Sequence, residues 1–123
     1  MNFLEILIVI IKMGIGLSIL NVWLINRDKS TPWRGGKATS MQEEFAAYGL
    51  NKTTMIIVGT LKSIFAVLLF VSIFYTSLTI IGAGGIAILM AGAIAMHFKI
   101  NDPIKKSIPA AIFLVLSLVL LYI

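Results

Sequence analysis

Apolar residues run along this chain in four long blocks, at about residues 3–25, 53–74, 78–96 and 103–123. Each is close to the ~20 residues that a helix needs to cross the hydrocarbon of a bilayer. Glu5 and Lys12 interrupt the first block, Lys62 interrupts the second, and the third carries no charge. Lys105 and Lys106 fall in the first turn of the fourth. From Ser63 to Phe98 there is no Asp, Glu, Lys or Arg, and His97 is the one histidine. That run is too long for one crossing, and Tyr75, Thr76 and Ser77 read as the turn of a tight helical hairpin. Asp102 and Pro103 read as the N-cap and first position of the last helix. The pattern predicts an all-α integral membrane four-helix bundle, with residues 1–123 forming a single membrane domain.

The one sizeable polar stretch, residues 26–52, divides in two. Pro32-Trp33-Arg34-Gly35-Gly36 reads as an irregular interfacial segment, with Trp33 at headgroup level. Ser40-Met41-Gln42-Glu43 fits a capping box, and Met41, Phe45 and Tyr48 then share one face of a short helix over about residues 40–49. Gly49 reads as its stop. This helix is expected to lie on the membrane surface or to fold back into the bundle. The first block reads as a retained span. Met1 to Glu5 lacks a positive region, and residues 26–29 offer no small-residue cleavage site.

Composition agrees with the pattern. The chain is 59% hydrophobic and 12% charged, where soluble domains are about one quarter charged. Mean hydropathy is +1.04. These values exclude a soluble monomer and a disordered chain. With no cysteine there is no disulfide scaffold and no thiol redox centre. One His among five acids argues against a self-contained metal site. The net charge of +5 invites a nucleic-acid reading, but the basic residues are placed by topology instead. All but Lys12 and Lys62 fall in residues 26–52 or just around and after residues 97–102. The positive-inside rule then puts both loops in the cytoplasm and both termini outside the cell membrane, with the lipid bilayer as the partner and no nucleic acid.

Lys12 and Lys62 are what topology leaves over. Counted along their helices, both fall near mid-membrane, within roughly one turn in depth at about 1.5 Å per residue. A charge there costs at least about 2.5–3.5 kcal/mol on insertion scales. Such groups need a carboxylate, an anionic ligand, a lowered proton affinity or separate wet niches. Glu5 shares a face with Lys12 but lies two turns away, and it equally fits the outer interface. His97 reads from spacing as an interfacial histidine with a water or backbone partner; the sharper alternative is a proton-exchanging group at a cavity mouth. The ligand-binding candidates are therefore Lys12, Lys62, His97 and Glu5. Ala83, Ala87, Ala91 and Ala95 form a small-residue stripe suited to central packing or to a homo-oligomer face. No phosphate loop, HExxH or GxSxG is present.

Three stretches resemble the DoxX-like family of small four-helix membrane proteins. They are Phe45-Ala46-Ala47-Tyr48-Gly49-Leu50, Gly59-Thr60-Leu61-Lys62, and Ala95 through Pro103, which continues to Lys105-Lys106-Ser107-Ile108-Pro109-Ala110. The resemblance implies a four-helix bundle. It marks Lys12, Lys62, His97, Asp102 and Pro109 as family-type positions. It says little of activity, since its members are associated with a thiosulfate:quinone oxidoreductase, with redox-stress membrane complexes, or with receptor assembly. The expected function is a subunit of a membrane redox complex that binds a quinone or another lipid-soluble ligand. The alternative is a non-enzymatic scaffold or assembly factor, with enzyme activity of the chain alone not expected. A small transporter ranks last, because no mid-span carboxylate is present and residues 26–52 are too long a loop for that pattern.

Overall fold

The computed structural model describes residues 1–123 and is helical throughout, without strands. Helix α1 spans Phe3–Leu20 and continues as a π-helical turn, Asn21–Ile25. A short α2 follows at Met41–Ala47, then α3 at Lys52–Val71, α4 at Thr79–Lys99 and α5 at Ile108–Tyr122. Tight 3-10 turns, Thr76–Leu78 and Ile104–Ser107, lead into α4 and α5. The four stretches Phe3–Ile25, Lys52–Val71, Thr76–Lys99 and Ile104–Tyr122 are each long and apolar enough to cross a membrane.

Local chemistry sets the ends. Asn2 and Glu5 form a capping box at the start of α1, so the Glu5 carboxylate turns back to its own helix end. Ser40 caps α2 through the Glu43 N–H at 3.2 Å. The return bond expected from Glu43 goes one residue further, to the Thr39 N–H and hydroxyl. Asn51 caps α3 through the Thr54 N–H and hydroxyl. Gly49 stops α2 at φ +83. Asn101, at φ 58, ends α4. There the Asp102 N–H reaches the His97 carbonyl at 2.9 Å and the Asn101 N–H reaches Phe98 at 3.1 Å, a Schellman closure. This corrects the expectation that Asp102 caps the last helix. Its carboxylate is engaged elsewhere, Pro103 is extended, and Pro109 supplies the proline of the first turn of α5.

The long helices pack in chain order, α1 on α3, α3 on α4 and α4 on α5, with only light contact between α1 and α5. Large apolar side chains such as Ile10, Ile80, Ile88 and Val115 face outward, as a lipid-immersed bundle requires. Inside, Ile15, Leu69, Ala83 and Ile86 are fully buried. Helices in lipid gain little from burying apolar surface and depend on close approach. At Gly85 the Phe65 ring sits where a side chain would start, 2.5 Å from a Cβ position. The alanine stripe splits. Ala83 and Ala87 are buried within the chain, while Ala91 and Ala95 are exposed. One continuous four-alanine dimer face is therefore ruled out, because α4 lies centrally and its inner half is already covered.

Candidate functional site

The loops at the basic end of the bundle build a cavity. Alpha helix α2 folds back and buries Met41, Phe45 and Tyr48 against the long helices. Arg34, also buried, holds the loop by donating to the carbonyls of Arg27 at 3.0 Å and Lys29 at 2.9 Å, with Asn26 at 3.3 Å. Those carbonyls follow the end of the first span, where a cation suits the helix dipole. The loop before α2 and the connection between α4 and α5 are joined at Gly36. Its N–H donates to Asp102 at 3.0 Å, and Lys106 donates to its carbonyl. Lys99 donates to the Tyr48 carbonyl at 2.8 Å and closes the C-terminal end of α2.

Beneath this frame lies a cavity of about 780 Å³, bordered by Trp23, Glu44, Phe45, Tyr48, Lys62 and His97 among others. This is within the roughly 300–1,000 Å³ of small-molecule sites. Trp23 reaches it because the π-turn adds a residue to the helical repeat, closed by an Asn26 N–H to Asn21 carbonyl bond of 2.9 Å. Such turns recur at functional sites. The indole packs on bare backbone at Gly59, where a Cβ would come within 2.3 Å of it. Trp23, Phe45, Tyr48 and His97 then form a run of tilted rings with centroids 6.0, 6.0 and 5.7 Å apart.

The four sequence candidates part company. Lys62 faces the cavity, half-buried, with its ammonium 5.5 Å from the centre of the Trp23 ring. His97 is buried in the same wall, with Nδ1 2.7 Å from Asp102 and Nε2 3.4 Å from the Tyr48 hydroxyl. Its partners are side chains, not the water or backbone expected from spacing. Lys12 lies outside the cavity. It is buried and donates at 3.0 Å to the Ser72 carbonyl at the end of α3. Ser72 is ten positions beyond Lys62, roughly 15 Å along the helix. The two ammonium groups therefore occupy separate levels rather than the shared depth that residue counting indicates. Glu5 stays exposed in its capping box and pairs with neither lysine.

Two residues of the wall, Glu44 and Tyr48, were not among the candidates. Their signal is the spacing of four that stacks a carboxylate and a phenol on the inward face of α2. Burial raises the proton affinity of the Tyr48 phenol well above its ordinary value, and the Glu44 and Asp102 carboxylates add to this. It stays a neutral hydroxyl. Burial works against the charge on Asp102, but the His97 and Gly36 hydrogen bonds and nearby Lys106 outweigh it. The carboxyl is held below its usual range and is ionised.

Fold and site together define a multi-pass membrane protein with a largely apolar cavity, bearing a few polar groups, toward one end of its bundle. The sequence profile of the DoxX-like family matches residues 35–120, and the chain belongs to that family. The match includes Glu44, Tyr48, Lys62, His97 and Asp102 but not Lys12. No curated protein and no solved structure matches the chain.

Proposed function

We propose that the cavity binds a lipid-soluble ring compound, of which a quinone is the leading candidate, and that the protein serves as a subunit of a membrane redox complex. The observation that carries this is Lys62. Of the cations that are not exposed, Lys12, Arg34 and Lys106 all donate to oxygen atoms of the chain. Lys62 has only an indole face beside it and makes no hydrogen bond or ion pair. An ammonium left with free donors in a membrane bundle marks a ligand path by default. The aromatic rings beside it suit a flat ligand head, and the lipid-facing helices suit an isoprenoid-like tail.

The test is binding by the purified protein in detergent. A short-chain quinone should quench Trp23 fluorescence in a Trp33→Phe background, and Lys62→Met should weaken binding about tenfold, the loss of roughly one charged hydrogen bond of about 1.5 kcal/mol. Equal affinity in Lys62→Met would remove the reading. Docking of a protein partner through α2 has less support, because its apolar face is already turned inward. We also assign the basic end of the bundle to the cytoplasm by the positive-inside rule.

A further inference from the structure

The Schellman turn at Asn101 does more than end α4. It brings the Asp102 carboxylate back onto His97, five residues earlier, at 2.7 Å. An ionised carboxylate at that distance accepts a hydrogen bond, so an imidazole carrying a single proton holds it on Nδ1. The Nε2 lone pair then faces Tyr48, whose hydroxyl donates to it across 3.4 Å. That bond is long, as such bonds are before a ligand seats. With its proton directed to His97 rather than to Glu44, the other acceptor beside it, the Tyr48 oxygen turns its lone pairs to the cavity it shares with Lys62. The order carboxylate, imidazole, hydroxyl is that of a general-base triad, with a phenol at its head.

Resting on the cavity reading above, we propose that Asp102, His97 and Tyr48 form a proton relay. It draws the proton from the hydroxyl of a bound phenolic or enolic amphiphile and leaves the anion beside Lys62. The ligand O–H bond breaks as its proton passes to the Tyr48 oxygen. The Tyr48 proton moves to Nε2 of His97. The products are an imidazolium held by Asp102 and a ligand oxyanion facing an ammonium, and no electron changes hands. The charges around the relay fit this direction. Asp102, 2.7 Å from Nδ1, favours the imidazolium, and Glu44 on α2 borders the same cavity. Lys62 from α3 and Arg34 from the first loop border the cavity and favour the ligand anion, and Lys106 sits beside Asp102. For a quinone-type ligand the relay selects the hydroxyl-bearing reduced form over the carbonyl form, since Tyr48 accepts rather than donates.

The test uses an alkyl-substituted 4-nitrophenol and its methyl ether with the full-length protein in detergent. Nitrophenolate absorbance reports ionisation of the bound probe, and competition by the ether reports occupancy of the cavity. In the wild type the bound phenol is expected to ionise about one pH unit below its value in empty micelles, a tenfold shift in the ionisation constant. Tyr48→Phe and His97→Gln should abolish the shift, and cooperative melting in detergent shows that both variants fold. A shift that survives in both variants, or a wild type that binds the phenol without ionising it, overturns the relay and leaves the cavity reading intact. Failure of both probes to bind overturns the cavity reading and the relay together. Asp102→Asn should reduce the shift without loss of ether binding.

Discussion

Gly59→Ala tests the wall of the cavity at its tightest point. A Cβ built there sits 2.3 Å from Cε3 and 2.5 Å from Cζ3 of Trp23. Ordinary carbon contacts are about 3.5–4.0 Å, so the indole must withdraw by roughly an ångström. It cannot do so freely. Trp23 is buried, its ring is packed edge-on to Phe45, and its backbone is held in the π-turn. Overpacking of this kind costs about 1–3 kcal/mol. The helix propensity gained by Gly→Ala, up to about 1 kcal/mol, partly conceals that cost. Gly84→Ala supplies the correction, because nothing lies within 4 Å of a Cβ there. The informative quantity is the difference between the two variants, expected at about 1–3 kcal/mol with Gly59→Ala the less stable. Melting midpoints in detergent measure it, with Trp23 emission read in a Trp33→Phe background. Gly59→Ala should also change that emission and weaken ligand binding, since Lys62 rests against the displaced ring. Equal midpoints for the two alanine variants, with unchanged Trp23 emission, would refute the packing on which the cavity depends.

Three further outcomes follow from the same geometry. Lys12→Met should cost about 1–3 kcal/mol of stability, because it takes from the buried Ser72 carbonyl the donor that closes α3; ligand affinity should not change, and a tenfold loss would show that Lys12 belongs to the site after all. Asp102 and Glu43 both sit below their ordinary values of 3.8 and 4.5. Their stabilisation is therefore complete above those values and lost as pH falls through the lowered ones. Thermal midpoints should hold from neutral pH to about pH 5 and drop in more acid buffer, with a shallower acid drop in Asp102→Asn. The chain has no cysteine, so Lys37→Cys and Asn2→Cys each give one label site. An impermeant maleimide on intact cells should label Asn2→Cys and spare Lys37→Cys, and the reverse pattern would invert the topology.

Much of the architecture was legible because lipid imposes a simple code. Spans must be long and apolar, and their ends carry turn and charged residues, so an all-helical four-span bundle follows from the pattern. The site was only half legible. Lys62 and His97 stand out as polar groups in apolar runs. Glu44 and Tyr48 do not, because a short amphipathic helix reads alike whether its face meets lipid or folds back onto a cavity. Trp23 was hidden for another reason. Counting at 3.6 residues per turn cannot anticipate the π-turn that aims it inward. Asp102 before Pro103 matches a helix start as well as it matches a helix end. What decides is the left-handed Asn101 and the imidazole within reach of the carboxylate. For Glu5 the seven-residue spacing allows a face shared with Lys12 or a place at the outer interface, and what decides is the capping box with Asn2.

The placement of the cations gives the site its direction. Three of them close helix C-termini, where partial negative charge gathers: Arg34 at the end of the first span, Lys99 on α2 and Lys12 on α3. Each is thereby neutralised in part by backbone dipoles and serves the fold. Lys62 lies mid-helix, where every carbonyl of α3 nearby is already bonded within the helix, so the backbone has no comparable partner to offer it. Helix α2, held down by those cations, brings Glu44 and Tyr48 to the cavity edge, where the last turn of α4 brings His97. A ligand entering from the bilayer would therefore meet Lys62 on the wall of α3 and the neutral Tyr48 hydroxyl on that of α2. Binding and proton transfer then become separable. Removing Lys62 should weaken every anionic or hydrogen-bond-accepting ligand, whereas removing Tyr48 should silence the ionisation of the bound phenol.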